Sequence, residues 1–451
     1  MTAPARQSLR AFLAALEADG QLTRVSAPVD RRFELSACLA VNGRGPVLRF
    51  EAVRGHAMAV VGNVLGTRER MAQAVGVELA DLQDRLAGAI ERPLAPRQVA
   101  TGPCQERVQD APDLDELPLP WFFEHETGPY VTAGAIVARE PATGKRNLSI
   151  ARLKPLGGNR ALIGIAPNHH LARMARDAGA QGEQLPIAVT LGNHPAVMLA
   201  ACLYLGYGDD ELEQAGALLG ERLDVVAAQR DLLVPAHCEL VLEGTLDPAE
   251  TVYEGPVSEF HGMYEDYGPG HVVTFDRMTS RHDAFLHVIE PGLHPEHLLL
   301  GGVAIAAGLA PALRRIEPAV SAIALPEGGC GRLTAVIALD GERARAGVAR
   351  RLMFATWAQV SLVRTVTVVD ADIDPWDGEQ VEWARTSFAR PDRDLLIAPD
   401  TSADRSEPLQ RRGTVAKLGI DATRKSVDRA DHRVAAPPAA AMAAARRLMR
   451  P

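Results

Sequence analysis

The sequence predicts a multi-domain α+β protein. Its 451 residues are too many for one hydrophobic core, so two or three domains are expected. Helical and strand patterns alternate near both ends of the chain, whereas short strands dominate the middle. A Pro-containing stretch at 91–120 and an Ala- and Gly-rich helix from residue 298 mark the crossings between them. We therefore expect domains at residues 1–108, 109–297 and 298–451.

The N-terminal segment predicts a small α/β unit. Ser8 can cap a first helix and Gly20 can end it. The apolar stripe of that helix consists of Leu9, Phe12, Leu13 and Leu16. The elements predicted after it are strands at 46–50 and 58–62 and helices at 68–75 and 79–89.

The central segment predicts a barrel-like sheet, because short strands with interspersed helices are typical of that architecture. Its candidate strands are 130–138, 146–153, 161–165, 187–191 and 238–243, and its helices are 170–178 and 210–219. The C-terminal segment alternates again, with a linker helix at 298–313, strands at 319–324, 333–339 and 365–369, and a loop and helix at 341–357. A terminal Ala/Met helix at 439–448 is apolar enough to dock on another surface, such as a partner subunit.

Charge and cysteine content limit the partners and the compartment. The formal net charge of −9 comes from 48 basic and 57 acidic residues, which argues against a nucleic-acid or membrane partner. The start of the chain lacks a signal-peptide core, and no window approaches the ~18 apolar residues of a membrane helix. Five widely spaced cysteines without a Cys-x-x-Cys pair fit a reducing cytoplasm.

Two glutamates, Glu254 and Glu259, stand five residues apart around a Gly-Pro turn. On a straight strand, residues five apart point to opposite faces. Gly255 and Pro256 break that geometry, so both carboxyls can reach one cavity. Two carboxylates in one cavity repel, and one tends to hold its proton near neutral pH, as acid/base chemistry needs. The alternative is a polar hairpin with two solvated glutamates.

A second candidate segment is the strand pattern Asn147-Leu-Ser-Ile-Ala-Arg152. In one continuous strand, Asn147, Ser149 and Ala151 would face one way and Arg152 the other, beside Ile150. An arginine on an otherwise apolar face is costly unless an anion pairs with it. That anion is a glutamate, a substrate carboxylate or the partner in a purely structural salt bridge.

Two further segments offer metal ligands. Asn168 precedes the adjacent histidines His169 and His170, and neutral imidazole is the commonest metal ligand. Glu211 lies among acids that open a helix, where the helix dipole alone would explain them. The Asn147 oxygen, one histidine nitrogen and one glutamate oxygen from this group of acids nonetheless make a plausible Mn²⁺ or Mg²⁺ set, completed by phosphate oxygens or water.

The basic segment Arg411-Arg-Gly-Thr-Val-Ala-Lys417 is consistent with a phosphate contact or with an ordinary basic loop. The sequence has no dinucleotide-binding glycine fingerprint after a strand, no P-loop and no Gly-x-Ser-x-Gly elbow. Rossmann dehydrogenase, P-loop NTPase and α/β-hydrolase functions are therefore unsupported.

Taken together, five segments in consistent order from about Ser8 to Thr423 resemble the UbiD family of reversible decarboxylases, which use prenylated FMN. Any one of the segments is weak alone. The five are 128–134, 147–152, Glu211 with 215–220, 254–262 and 417–423.

The resemblance implies a cofactor site and a catalytic set. Asn147, His169 and Glu211 would hold Mn²⁺ against the phosphate of prenylated FMN, with a potassium ion often nearby. Arg152, Glu254 and Glu259 would form the catalytic network, with Glu259 as the proton donor. The residues that would line or contact the cofactor are Asn147, Ser149, Ile150, Ala151, Arg152, Asn168, His169, Glu211 and Lys417.

The resemblance also implies a central split β-barrel like that of flavin reductases, flanked by N-terminal and C-terminal α/β domains. The family forms dimers or hexamers, releases or fixes CO₂ and depends on a flavin prenyltransferase for its cofactor. This chain departs from the pattern at Asn168, at the tandem histidines and at Phe122-Phe123. The substrate is a carboxylic acid, and compact heteroaromatic acids are our interpretation of the regions around Arg152 and Pro167. The alternatives are an FMN oxidoreductase with the same barrel and a non-catalytic subunit of a carboxylase complex.

Overall fold

A computed structural model describes residues 6–341, 347–424 and 435–449 of the chain. Within these ranges the chain forms eleven α-helices and twenty-two β-strands in five sheets, the smallest of them a two-stranded hairpin. The predicted class, a multi-domain α+β protein, is confirmed. Residues 342–346, in the loop predicted before the helix near residue 350, lie outside the described residues.

The elements have the following bounds. The helices are α1 Leu9–Ala18, α2 Glu34–Asn42, α3 Arg68–Ala74, α4 Leu82–Glu91, α5 His170–Ala180, α6 Pro195–Ala201, α7 Glu211–Leu219, α8 Pro295–Ile316, α9 Val348–Gln359, α10 Gly378–Phe388 and α11 Ala439–Leu448. The strands are β1 Leu22–Val25, β2 Val47–Phe50, β3 Val60–Gly62, β4 Arg97–Gln98, β5 Arg107–Asp110, β6 Ala135–Arg139, β7 Arg146–Ile150, β8 Arg152–Gly157, β9 Arg160–Gly164, β10 Leu185–Leu191, β11 Asp224–Ala227, β12 Leu233–Pro235, β13 Leu240–Tyr253, β14 Val257–Ser258, β15 Tyr264–Glu265, β16 Pro269–Ser280, β17 Leu286–Val288, β18 Val320–Ala324, β19 Thr334–Leu339, β20 Thr365–Asp370, β21 Leu395–Ser402 and β22 Thr414–Asp421.

The N-terminal unit contains a four-stranded sheet in the order β1-β2-β3-β17. Ser8 caps α1 as predicted, since its hydroxyl accepts a hydrogen bond from the Ala11 amide, and the whole predicted apolar stripe is buried. The fourth strand, β17, comes from far along the chain and pairs in parallel with β3. The sheet therefore ties the N-terminal unit to the segment that leads into α8.

The central sheet has eight antiparallel strands, seven of them in the order β7-β6-β10-β13-β16-β9-β8, with β5 paired to β16. Its residues alternate between two cores, so that Ala135 and Val137 face one and Ile136 and Ala138 the other. Burial of both faces explains why β10, in the middle of the sheet, carries no charged residue.

The prediction of one continuous strand at 146–153 is wrong, because the structure divides this segment into β7 and β8. These are the two end strands of the central sheet, and only Ala151 joins them. The sheet must therefore coil until its ends are adjacent, although its hydrogen-bond ladder does not close within the described residues. The break carries no Gly or Pro, so local sequence gives no sign of it.

Strands β13 and β16 form a long hairpin that extends beyond the sheet. Glu254 directly follows β13, and Glu259 directly follows the short strand β14. Both predicted acids therefore lie at the tip of one hairpin, next to the junction of β7 and β8.

The C-terminal unit has a five-stranded sheet in the order β18-β19-β20-β22-β21, reached through α8. Of the described helices, only α8 is long and apolar enough, by length and composition, to cross a membrane. The expectation that no part of the sequence approaches a membrane helix is therefore wrong for this helix. Because 78% of its most apolar window is buried inside the protein, it has the character of a core helix. By contrast, the side chains described in α11 are exposed.

Candidate active site

A cavity of about 520 Å³ lies where the tip of the central sheet meets the C-terminal unit. This volume is in the usual range for small-molecule and cofactor sites, roughly 300–1,000 Å³. Most of the predicted site residues line it: Asn147, Ser149, Ile150, Ala151, Arg152, Asn168, His169, Glu211 and Glu259. Glu254 lies behind Arg152, and Lys417 lies elsewhere.

Arg152 joins the two predicted glutamates. Its Nε and Nη2 atoms donate to the two carboxylate oxygens of Glu254 at 2.6 and 2.8 Å. Its Nη1 lies 3.8 Å from Glu259 Oε1. Burial works against the charge of Arg152, but the hydrogen bonds and charge of Glu254 outweigh it, so the pKa of Arg152 lies above its ordinary value. The sequence-based picture of two carboxylates facing each other is therefore replaced by two carboxylates on one guanidinium.

The two glutamates differ in environment. The Glu254 side chain is 2% exposed and makes the bidentate contact, whereas that of Glu259 is 16% exposed and lines the cavity. A buried fork-to-fork pair holds the arginine in one orientation. Glu259 is the carboxyl that a substrate can reach.

The Glu254 loop is fixed by Thr127, in the segment between β5 and β6, and by Lys154 of β8. Gly255 has φ +87°, and a Cβ there would lie 3.0 Å from Thr127 Cγ2, so both conformation and space require glycine. The Thr127 hydroxyl donates to the Glu254 carbonyl at 3.0 Å, and Lys154 Nζ donates to the same oxygen at 2.6 Å.

Gly164 is a site residue that no sequence motif indicated. It pairs with Arg152 across β8 and β9, and a Cβ at this position would lie 2.8 Å from Arg152 Cζ. The guanidinium therefore lies flat over a glycine. A lone glycine in a strand is the only signal for such a close approach, and it does not reveal what approaches.

The three predicted metal ligands line the same cavity, on β7 and at the beginnings of α5 and α7. Glu211 opens α7, is buried, and accepts a hydrogen bond from the Leu148 amide at 2.7 Å. Burial raises the pKa of Glu211 to about 8. Asn147, also buried, has its Oδ1 3.2 Å from His170 Nδ1.

His169 precedes α5 as its N-cap residue, and its buried Nδ1 has no hydrogen-bond partner among the described residues. Burial lowers the pKa of His169 to about 4, which keeps the imidazole neutral and able to bind a metal. A buried acid without a compensating charge and an unpartnered ring nitrogen both fit a divalent cation. The donor set of amide oxygen, imidazole nitrogen and carboxylate oxygen suits Mn²⁺.

An aromatic wall stands behind the catalytic set. Phe122, Tyr130 and Val257 form a small buried cluster, with Phe123 and Tyr267 packed against it. Phe122 and Phe123 therefore add apolar surface to the side of the site that holds Arg152 and its glutamates. Exclusion of water strengthens charge interactions inside the site.

The C-terminal unit completes the cavity. Asp404 accepts a hydrogen bond from Asn168 Nδ2 at 3.2 Å, and the Arg405 guanidinium lies 4.3 Å from the centre of the Tyr267 ring. His297 and Arg332 also line the cavity, and Arg332 has no ion pair with a described carboxylate. Tyr267, Asp404, Arg405 and His297 carried no motif that would have identified them in the sequence.

The phosphate contact predicted for Lys417 is not supported by the structure. Lys417 lies within β22 rather than in a basic loop, is 1% exposed and is absent from the cavity wall. Its ammonium donates to the carbonyls of Ser361 and Val363 at 2.6 and 2.9 Å. These carbonyls, rather than a phosphate, satisfy its charge.

Comparison with known proteins agrees with this geometry. Family profiles described as the N-terminal, Rift-related and C-terminal domains of 3-octaprenyl-4-hydroxybenzoate carboxy-lyase match residues 13–90, 97–294 and 298–422. The UbiD-class enzyme HmfF from Pelotomaculum thermopropionicum, solved in complex with FMN, has a TM-score of 0.92 and 37% identity over 96% of this chain and 98% of that chain. Vanillic acid decarboxylase from Sedimentibacter hydroxybenzoicus, in its closed form, has a TM-score of 0.85 and 28% identity over 98% of each chain.

The fold and the site thus define a carboxy-lyase, an enzyme that adds or removes CO₂. The chain belongs to the UbiD family of decarboxylases.

Proposed function

We propose that this enzyme catalyses the reversible, non-oxidative decarboxylation of an unsaturated, aromatic or heteroaromatic acid, using prenylated FMN and Mn²⁺, with Glu259 as the proton donor. The observation that carries the proposal is the single guanidinium of Arg152, fixed by Glu254 and adjoining Glu259 in the wall of the cavity. Membership in a family of decarboxylases removes the support for an FMN oxidoreductase.

The cavity suits a flavin cofactor. One relative was solved with FMN, and an evolved dimeric form of the same enzyme, 36% identical to this chain with a TM-score of 0.89 over 96% of this chain and 98% of that chain, was solved with prFMN. The wall at 147–152 offers backbone groups at the junction of β7 and β8, where the chain is free of sheet pairing at Ala151. When bound, prenylated FMN supplies the electron sink that loss of CO₂ from an sp² carbon requires.

Each residue of the catalytic set then has one task. Arg152 orients the substrate carboxylate, and Glu254 holds Arg152 by its bidentate contact. Glu259 carries a proton and delivers it from its carboxyl group to the carbon that CO₂ has left. The aromatic wall excludes water that would otherwise compete as a proton source.

Asn147, His169 and Glu211 are proposed to hold Mn²⁺, which would neutralise the buried Glu211 and anchor the cofactor phosphate. We also propose that a potassium ion binds near these three residues. We also propose that the coiled central sheet is the split barrel of flavin reductases, that the domains divide at 1–108, 109–297 and 298–451, and that the enzyme is cytoplasmic.

The substrate proposal is a compact heteroaromatic acid such as a pyrrole- or furan-carboxylate. The aromatic wall restricts the space beside Arg152, which favours a compact acid. Arg332 gives the cavity a second guanidinium, so a ring with a further acceptor group would find a partner there. The direction of the reaction would follow the CO₂ concentration.

The proposal is tested by co-expression with a flavin prenyltransferase, the expected supplier of the cofactor, followed by purification with Mn²⁺. We expect the absorbance spectrum and the mass of the released flavin to show prenylated FMN, and CO₂ to be released from pyrrole-2-carboxylate or 2-furoate. Protein that carries only unmodified FMN and consumes a reduced nicotinamide would overturn the proposal.

Replacement of Glu259 tests the assignment of the proton donor. Glu259→Gln should abolish both turnover and solvent-deuterium exchange into the product, because an amide cannot deliver the proton, while the flavin stays bound. Glu265→Gln, on the same hairpin but outside the cavity wall, is the matched control. Near-wild-type turnover of Glu259→Gln would refute the assignment.

A further inference from the structure

Tyr267 occupies the cavity wall between two arginines. The centre of its ring lies 5.4 Å from Arg152 Cζ and 4.3 Å from Arg405 Cζ. Both distances are in the range of cation–π contacts, and the ring also packs on the aromatic wall. Tyr267 is thereby held by the catalytic arginine and by a residue of the C-terminal unit.

The hydroxyl of Tyr267 is buried and makes no well-formed hydrogen bond in the described part of the chain, and the acceptor that faces it is the Glu259 carboxylate. Burial, and then the adjacent Glu259 carboxylate, raise the pKa of Tyr267 well above its ordinary value. The phenol therefore keeps its proton and can act as a hydrogen-bond donor. A buried hydroxyl without a hydrogen bond is costly, so this acceptor must engage it during the reaction cycle.

Tyr130 offers a natural comparison. It is likewise buried, its hydroxyl likewise makes no well-formed hydrogen bond among the described residues, and burial followed by the nearby Glu254 raises its pKa. Each glutamate of the catalytic set thus has its own tyrosine. Only Tyr267 and Glu259 line the cavity, whereas Tyr130 and Glu254 lie behind it.

We propose that Tyr267 is a positioning residue for Glu259, kept in place by Arg405, and that its hydroxyl donates a hydrogen bond to the carboxylate that Glu259 becomes on giving up its proton. The inference rests on the proposed function, because it assigns proton delivery to Glu259. In that step the Glu259 O–H bond breaks, a C–H bond forms at the substrate carbon, and the phenol proton stays on Tyr267.

The charge distribution explains why a donor is needed there. Glu254 occupies two nitrogens of Arg152 directly, while Glu259 lies at 3.8 Å from the third. Arg152 alone is therefore a distant partner for a newly ionised Glu259. A neutral hydroxyl adds a hydrogen bond without adding a charge that would attract the substrate carboxylate to the wrong place.

The test compares Tyr267→Phe with Tyr253→Phe in the holoenzyme, with furan in D₂O as the probe. Tyr253 lies on the same hairpin, is 59% exposed and does not line the cavity. Loss of a hydrogen bond to a charged group should lower the exchange of the ring hydrogen roughly ten- to a hundredfold in Tyr267→Phe. The turnover rate with 2-furoate as substrate should fall in parallel, with little change in KM or in bound flavin. Tyr253→Phe should retain exchange within about threefold of wild type, since its hydroxyl donates to Asp266 outside the cavity.

Arg405→Met provides a second variant, since it keeps the apolar stem and removes the guanidinium that stacks on Tyr267. Arg405→Met should also lower the exchange rate of furan. The double variant of Arg405→Met and Tyr267→Phe should exchange no more slowly than Tyr267→Phe alone. Arg411→Ala, an exposed arginine in the same C-terminal segment, should behave as wild type. Wild-type exchange in Tyr267→Phe, or equal losses in Tyr253→Phe, would overturn the inference while leaving the proposed function intact.

Should the wild-type holoenzyme itself fail to exchange furan or decarboxylate 2-furoate, the proposed heteroaromatic chemistry fails instead. A crystal structure of the protein then decides the positioning role separately. An oxygen–oxygen distance of about 2.5–3.0 Å between Tyr267 and Glu259 would support it, and a Tyr267 hydroxyl bonded elsewhere would refute it.

Discussion

At the scale of single residues, the orientation of Arg152 is the most tightly determined feature of the site. Glu254 holds the guanidinium by two hydrogen bonds, and Gly164 leaves the flat space on which it lies. Lys154 and Thr127 in turn fix the loop that carries Glu254. The arginine is thus pre-oriented before any substrate binds, which reduces the ordering that the reaction requires.

This geometry gives a prediction for Gly164→Ala. The added methyl would meet the movable end of Arg152 rather than backbone, so the melting temperature should change little while the guanidinium is displaced. A displacement of this size should lower kcat/KM by up to about a hundredfold. Gly378→Ala, where a Cβ would meet nothing within 4 Å, is the control. Unchanged kcat/KM in Gly164→Ala would show that Arg152 does not need this position.

At the scale of elements, the end of the site proposed to hold the metal is made by the beginnings of α5 and α7 against β7. Asp210 caps α7 through Leu212 and also binds Arg146 of β7 at 2.6 Å, which holds the helix start against the strand. Glu211 then follows in a buried position. Both residues are glutamates, so their positions relative to the start of α7 decide that Glu211 contacts β7 while Glu213 remains partly exposed.

Metal binding should therefore stabilise the protein through these helix starts. We expect Mn²⁺ to raise the melting temperature of the wild-type protein, because a ligand of the folded state adds RT ln(1 + [L]/Kd) to stability. Glu211→Gln and His169→Ala should lose most of this increase, whereas Glu213→Gln and His170→Ala should keep it. Loss of the increase in His170→Ala but not in His169→Ala would transfer the ligand role to His170, whose ring already contacts Asn147.

At the scale of the whole molecule, the cavity depends on two units that are distant in sequence. The central sheet and its hairpin supply Arg152, Glu254 and Glu259, and the segment 404–406 of the C-terminal unit contacts Asn168 and Tyr267 across the opening. The strand β17 and the helix α8 connect these units through the N-terminal sheet. The position of the C-terminal unit relative to the central sheet should accordingly affect the binding of both the cofactor and the substrate.

The exposed helix α11 gives a prediction on assembly. Its apolar side chains include Met442 and Leu448, which are 40% and 84% exposed in the single chain. We expect deletion of residues 435–451 to reduce the number of subunits in the assembly, measured as the molar mass by light scattering. The melting temperature should stay close to that of the full chain. Met442→Asp should act in the same direction. An unchanged mass in both variants would show that α11 does not contribute to an interface.

The sequence alone determined the class of fold, the family and most of the site, because these depend on local patterns. The apolar stripe of the first helix, the Gly-Pro turn after Glu254 and the segment from Asn147 to Arg152 each carry their signal in neighbouring residues. The tertiary structure alone decided which distant groups meet. Coiling of the central sheet divided one predicted strand at Ala151, strand pairing buried Lys417 away from the cavity, and the C-terminal unit brought Arg405 to Tyr267. The physical reason is that such contacts are made by packing between elements far apart in the chain, and no local propensity records them.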